Sequence, residues 1–206
     1  MTTRRPVTAS QLRIRWTLAT ALGLAAGLIA GLLLGDPVEA VVGMLLVTPV
    51  LTGIVGMVFG TPQWLLLRRR LAASRWWIPA SALGLGTGLA LGVVAVEVAG
   101  ILLTGERPNV LRLGPLPRAA SMAVVGLTAG LCLGAAQWLV LRRRASRAWI
   151  WRSCAAFGVA LTAASLAVDT LLGGIAGPAG LLAFVLLTGL IAGGLTSGSY
   201  ARLVAA

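Results

Sequence analysis

Three carboxylates, Asp36, Glu97 and Asp169, and two amides, Gln63 and Gln137, are the side chains of this 206-residue sequence whose type and spacing could form a binding site. Asp36 and Glu97 lie 61 residues apart, each 20 residues beyond a tryptophan (Trp16, Trp77), while Asp169 lies 18 beyond Trp151. At about 1.5 Å per residue, such acids stand roughly 27 to 30 Å from the tryptophans, near the far edge of a hydrocarbon layer. Carboxylates at related positions of three helices can ring the mouth of a bundle and attract a cation or a cationic solute. Each also has a plain structural use. Asp36 opens Asp36-Pro37-Val38-Glu39, a pattern that predicts a helix start with Asp as the cap. Glu97 can pair with Arg107, Arg112 or Arg118, and acids at helix ends are tolerated where they reach water. Glu97 is the strongest candidate because it sits inside an apolar helix, in Val94-Ala95-Val96-Glu97-Val98.

Gln63 and Gln137 each stand five residues before an arginine triplet, Arg68-Arg69-Arg70 and Arg142-Arg143-Arg144. An amide with two donors and two acceptor sites can bridge helices there or hold a polar ligand. The triplets, flanked by Trp64 and Trp138, can bind anionic lipid headgroups or an acidic partner. They equally serve to fix orientation in a membrane.

Other chemistry is scarce. The 17 basic residues are all arginine, and with 5 acids and no histidine the net charge is +12. Lacking His, the chain lacks the usual general base and the commonest metal ligand. Cys132 and Cys154 fall in separate apolar stretches without metal-site spacing. No phosphate loop, nucleotide fingerprint or zinc-protease motif occurs. The expectation is a non-enzymatic protein with no cofactor and no metal. Nucleic acid is not an expected partner either, because the arginines alternate with apolar spans.

The elements that position these residues are membrane spans. The chain is 58% hydrophobic and 11% charged, and its apolar runs predict helices over Trp16 to Leu34, Asp36 to Leu67, Trp76 to Leu103, Ala119 to Leu141, Trp149 to Leu172, and a last one ending near Tyr200. With six spans, 14 arginines fall on the side of the termini and 3 (Arg107, Arg112, Arg118) on the other, which predicts cytoplasmic termini. All seven tryptophans fall at the arginine-rich ends of spans, and all five acids toward the opposite side. The arginines before Trp16 resemble a signal-peptide charge cluster, but the first span shares the repeat described next and is expected to be retained.

At an offset of 74, Gly56, Gly60, Gln63, Trp64 and the first triplet match Gly130, Gly134, Gln137, Trp138 and the second, and the match continues to Trp77/Trp151 and Gly84/Gly158. At an offset of 61, Trp16, Gly23, Gly27 and Gly31 match Trp77, Gly84, Gly88 and Gly92. The sixth span keeps Gly189, Gly193 and Thr196 in place of Gly130, Gly134 and Gln137. The predicted fold is all-α: a six-transmembrane-helix bundle in a single integral membrane domain, residues 1 to 206. It is built from three hairpins pointing the same way (about 13–70, 75–144 and 147–203). Glycines every four residues predict close helix packing or an oligomer seam.

The Gly-x-x-x-Gly-x-x-Gln-Trp-Leu-x-Leu-Arg-Arg pattern at 56–69, with its counterpart at 130–143, resembles a repeat of uncharacterised bacterial multipass membrane proteins and brings no activity with it. Size and six-span layout also look like the substrate-binding components of energy-coupling-factor vitamin transporters. The placement of the acids leads to the expectation of a solute-binding or transport component of the plasma membrane that uses Glu97, Asp169 and Asp36. The alternative is an interaction subunit whose basic, Trp-rich face binds a protein partner or anionic lipid.

Overall fold

The structure, a computed structural model, describes residues 8–68, 75–110, 113–142, 144–173 and 177–205, with only the backbone described at 39–49 and 205. Among the described residues it is all-α. Six helices are long and apolar enough to cross a membrane: Ala9–Val38, Val50–Leu67, Trp77–Thr104, Pro115–Leu141, Ala148–Leu172 and Pro178–Val204. They make this a multipass integral membrane protein in contact with the bilayer. Backbone N–H and C=O groups find no water in hydrocarbon, so helices that satisfy them internally are the natural solution.

Local sequence sets most helix ends. Thr8 and Gln11 form a reciprocal capping box at the start of the first span, the Thr8 N–H donating to Gln11 Oε1 at 3.2 Å. Gly105 and Gly173, with φ of 77° and 71°, end the third and fifth spans in the left-handed conformation that glycine adopts without a Cβ clash. Pro115 opens the fourth, where its missing N–H is no loss.

One boundary departs from expectation. Asp36 does not start a helix: the backbone is helical from Ala9 through Asp36, Pro37 and Val38, and the described second span begins at Val50. The helix carries through Asp36-Pro37 without a break, so the Asp36 capping pattern is not used. The two arms lie side by side, Gln63 Nε2 donating to Thr20 Oγ1 at 3.1 Å, so the chain reverses between them.

Each span packs on its neighbours in sequence, and the sixth closes on the first. Without a hydrophobic drive between helices in lipid, contact must come from close packing, and small residues make it possible. Gly23 lies against Phe59, and at the matching place Gly84 lies so near the fourth span that a Cβ would stand 2.7 Å from Leu133 Cα; one turn on, at Gly88, it would stand 2.6 Å from Ala129 Cα. Between hairpins, Gly60 meets Ser81, Gly134 meets Ser153 and Gly193 meets Thr17 and Thr20. The three hairpin-to-hairpin seams are therefore one seam repeated around a closed ring.

The ring corrects the repeat register of the third hairpin. Trp149, not Trp151, stands with Trp16 and Trp77 at the centre, whereas Trp151 is 67% exposed. With an offset of 72, Thr20, Ser81 and Ser153 become equivalent, as do Leu24, Leu85 and Phe157. The small-residue ridge continues as Ala156, Ala160 and Ala164, all buried, so alanine replaces glycine in this copy. Phe157 reaches Phe59 edge-on at 6.1 Å, and with Leu85 and Leu133 these rings fill the middle of the bundle.

Candidate functional site

The end of the bundle that carries the arginine triplets is built in three layers. The first is polar. Gln63 on the second span donates to Thr20 on the first, and its Oε1 accepts the indole N–H of Trp77 on the third at 3.1 Å. Gln137 repeats the motif by donating to Ser81 at 3.2 Å and makes a long contact of 3.5 Å to Gln63 Oε1. Thr196, too short to span the gap as glutamine does, accepts the Trp16 N–H at 2.9 Å and turns its own hydroxyl to Ala192 O. Both glutamines are buried, so these bonds meet a need that hydrocarbon would otherwise leave unmet. The third tryptophan is the exception: Trp149 Nε1 is buried without a partner.

The second layer is a plate of aromatic rings. Trp16, Trp77 and Trp149 meet edge to face in a cycle, with centroids 6.1 to 6.2 Å apart and planes at 71° to 75°. This is the favoured geometry for rings with negative faces and positive edges. Tyr200 stacks on Trp16 at 4.4 Å and stands where the other hairpins have Leu67 and Leu141, all three buried. The plate closes this end of the bundle.

The third layer is charge. Arg68 lies over the ring of Trp64 at 5.3 Å, and Arg75 over Trp76 at 5.9 Å, cation–π contacts that tether cations to the plate's rim. Arg142 and Arg144 are exposed, while Arg69, Arg70 and Arg143 lie outside the described residues. Between the fifth and sixth spans a cleft of about 260 Å³ opens, lined by Arg144, Ser146, Arg152, Ser199 and Arg202 around Trp149 and Leu203. Arg152 Nη1 donates to Ser199 Oγ at 3.1 Å. Sequence alone counted Arg152 and Arg202 toward topology and did not single them out. The signal was available in the corrected register, where Arg152 replaces Ala19 and Ala80, and Ser199 replaces Leu66 and Val140.

The acids occupy the other end. Measured from Trp149, Asp169 falls 20 residues on, the same spacing as Asp36 from Trp16 and Glu97 from Trp77. The three nevertheless differ. Asp36 is exposed and Glu97 half-buried, and neither makes an ion pair among the described residues. Asp169, its side chain 5% exposed, pairs with Arg118 at the start of the fourth span. Arg118 also donates to Leu113 O at 2.7 Å and Val110 O at 3.3 Å, so one guanidinium ties the 105–114 loop to the fifth span. Val110 packs on the core from that loop. The second carboxylate oxygen, Asp169 Oδ2, and Ser165 Oγ one turn away are buried without partners. No three His, Cys, Asp or Glu side chains gather as a metal site among the described residues.

The chain matches no known family, and no curated protein or solved structure is similar to it.

Proposed function

We propose that the chain is a non-enzymatic interaction component of the plasma membrane. Both termini are cytoplasmic in this reading, and the arginine- and tryptophan-rich end holds anionic lipid of the inner leaflet. The observation that carries it is a rigid, hydrogen-bonded plate rimmed by arginines that meet no carboxylate among the described residues, the one ion pair there being Arg118 with Asp169 at the opposite end. Cations held on a fixed scaffold lose little entropy on meeting an anionic surface. The split of 14 arginines to 3 supports the orientation, and an anionic leaflet attracts each such charge. The test is native mass spectrometry of protein extracted from mixed phosphatidylcholine and phosphatidylglycerol bilayers. The wild type should retain phosphatidylglycerol preferentially. The triple substitution Arg142→Gln, Arg143→Gln, Arg144→Gln should lose much of that preference with topology unchanged; no preference in the wild type would refute the reading.

A second reading is a solute-binding component open on the acidic side, in keeping with the likeness to energy-coupling-factor substrate-binding components. The equal 20-residue spacing of Asp36, Glu97 and Asp169 favours it, together with the unpartnered Asp169 Oδ2. Its test is Glu97→Gln: binding of a cationic solute by the purified protein should weaken, and binding that stays unchanged removes Glu97 from the site.

A further inference from the structure

We propose that the cleft between the fifth and sixth spans is a phosphate-binding site, in which the guanidinium groups of Arg144, Arg152 and Arg202 and the hydroxyls of Ser146 and Ser199 hold a phosphate group. The inference deepens the reading of the arginine-rich end as an anion-binding face and rests on it.

Four observations converge on this cleft. First, its three arginines bring three positive charges to one cavity with no acidic side chain in its lining. Guanidinium forks match phosphate oxygens two at a time, and hydroxyl donors complete the set. Second, the pair at its centre is peculiar to one hairpin. Where the first two copies place Ala19 and Ala80 opposite Leu66 and Val140, the third places Arg152 opposite Ser199. An arginine inside the first turns of an apolar span is disfavoured unless it reaches water or an anion. Here Arg152 is turned toward the sixth span by its bond to Ser199 Oγ.

Third, the cleft lies at the start of the fifth span. That helix begins at Ala148 with no capping side chain and no acid in its first turn. Its first N–H groups turn back onto the backbone, Trp149 N–H to Ser146 O and Ile150 N–H to Arg147 O, both at 3.0 Å, so the helix start contributes only the field of a dipole end that faces no acid. Fourth, the size fits. About 260 Å³ is small beside pockets for drug-sized ligands and suits a phosphate with a small substituent. Trp149 and Leu203 form an apolar floor that is continuous with the buried plate, so the charged groups are held in place from beneath.

The chemistry recognised is a phosphate monoester, diester or free ion, and the two sources are the headgroup of an anionic lipid and soluble phosphate. The experiment separates them. Full-length protein in phosphatidylcholine nanodiscs is titrated with inorganic phosphate by equilibrium dialysis. In parallel, protein from nanodiscs that also contain phosphatidylglycerol is assayed for retained phosphatidylglycerol by native mass spectrometry. Arg152→Gln and Arg202→Gln should each weaken binding by about tenfold or more, the range for a lost charge-assisted hydrogen bond. Arg142→Gln, exposed in the same triplet but outside the cleft, should change it less than about threefold. Should Arg152→Gln fail to give monodisperse protein, Arg202→Gln and Ser199→Ala carry the test, the latter releasing Arg152 from its anchor.

Loss in the dialysis arm assigns the site to soluble phosphate, and loss in the lipid arm alone assigns it to the headgroup; both sustain the proposal. Equal weakening by Arg142→Gln, Arg152→Gln and Arg202→Gln would overturn it while leaving the broader anion-binding reading intact. Failure of the wild type to bind either species would overturn both.

Discussion

Replacing Gln63 with leucine should destabilise the bundle more than the same change at Gln137, although the two residues occupy equivalent places in the repeat. Gln63 makes two well-formed bonds, from Trp77 Nε1 and to Thr20 Oγ1, both 3.1 Å, and receives the long contact from Gln137. Gln137 makes one bond of comparable quality, to Ser81 at 3.2 Å, plus that same long contact. Its expected partner by symmetry, the Trp149 N–H, is already unpartnered, so leucine at 137 strands no indole. Side-chain hydrogen bonds inside membrane proteins average about 0.6 kcal/mol and reach about 1.7. A buried donor left stranded costs about 1 to 3 kcal/mol. Gln63→Leu should thus lose about 2 to 4 kcal/mol and Gln137→Leu about 1 to 2, a gap of roughly 1 to 2 kcal/mol. Reversible unfolding in mixed micelles, titrated with a denaturing detergent and followed by circular dichroism, measures both. Equal losses, or a larger loss at Gln137, would refute the assignment of the polar layer.

Three further outcomes follow from the packing. Gly88→Ala puts a Cβ 2.6 Å from Ala129 Cα and should cost about 1 to 3 kcal/mol in the same assay, whereas Gly194→Ala, with nothing within 4 Å, should be neutral or mildly stabilising. Arg118→Gln leaves the buried Asp169 carboxylate uncompensated and should cost about 3 to 5 kcal/mol and expose the 105–114 loop to protease; adding Asp169→Asn should recover much of the loss. Gly189→Ala puts a Cβ under 3.0 Å from Ala21 Cα on the first span and should cost about 1 to 3 kcal/mol in the same unfolding assay; no loss would argue against the closed ring.

The architecture was legible in the sequence because it is periodic. Apolar runs of span length, glycines four apart and the Gln-Trp-Leu markers each recur at fixed offsets, and helices crossing hydrocarbon leave little freedom in how such runs fold. The third hairpin was misread by two residues because its ridge is built from Ala156, Ala160 and Ala164 and because Trp149 and Trp151 both offer a match for Trp77. Only the shared contact of three rings tells them apart. The helix start expected at Asp36 failed because a capping pattern is only a local preference, and the helix that begins at Ala9 runs through it.

The sites were legible as residue types but not as constellations. Gln63 and Gln137 could be read as helix bridges from their depth, yet that Gln63 takes the indole N–H of Trp77 in the next hairpin, while Gln137 turns to Ser81 and Gln63, depends on how the ring closes. Arg118 was one of three candidates for Glu97; its place at the start of the fourth span gives it instead to Asp169. The cleft joins residues from the fourth-to-fifth connection, the fifth span and the sixth, 58 residues from Arg144 to Arg202, and only the folded bundle brings them together.

The proposal puts recognition at the closed, arginine-rich end rather than along a path through the bundle. An experimental structure of the full chain in a bilayer containing phosphatidylglycerol tests this most directly. The account predicts phosphate density in the cleft, with oxygens within about 3 Å of the Arg152 and Arg202 guanidinium nitrogens. A cleft occupied by water alone, or filled by the protein's own side chains, with anionic lipid no nearer to it than to the rest of the surface, would contradict it.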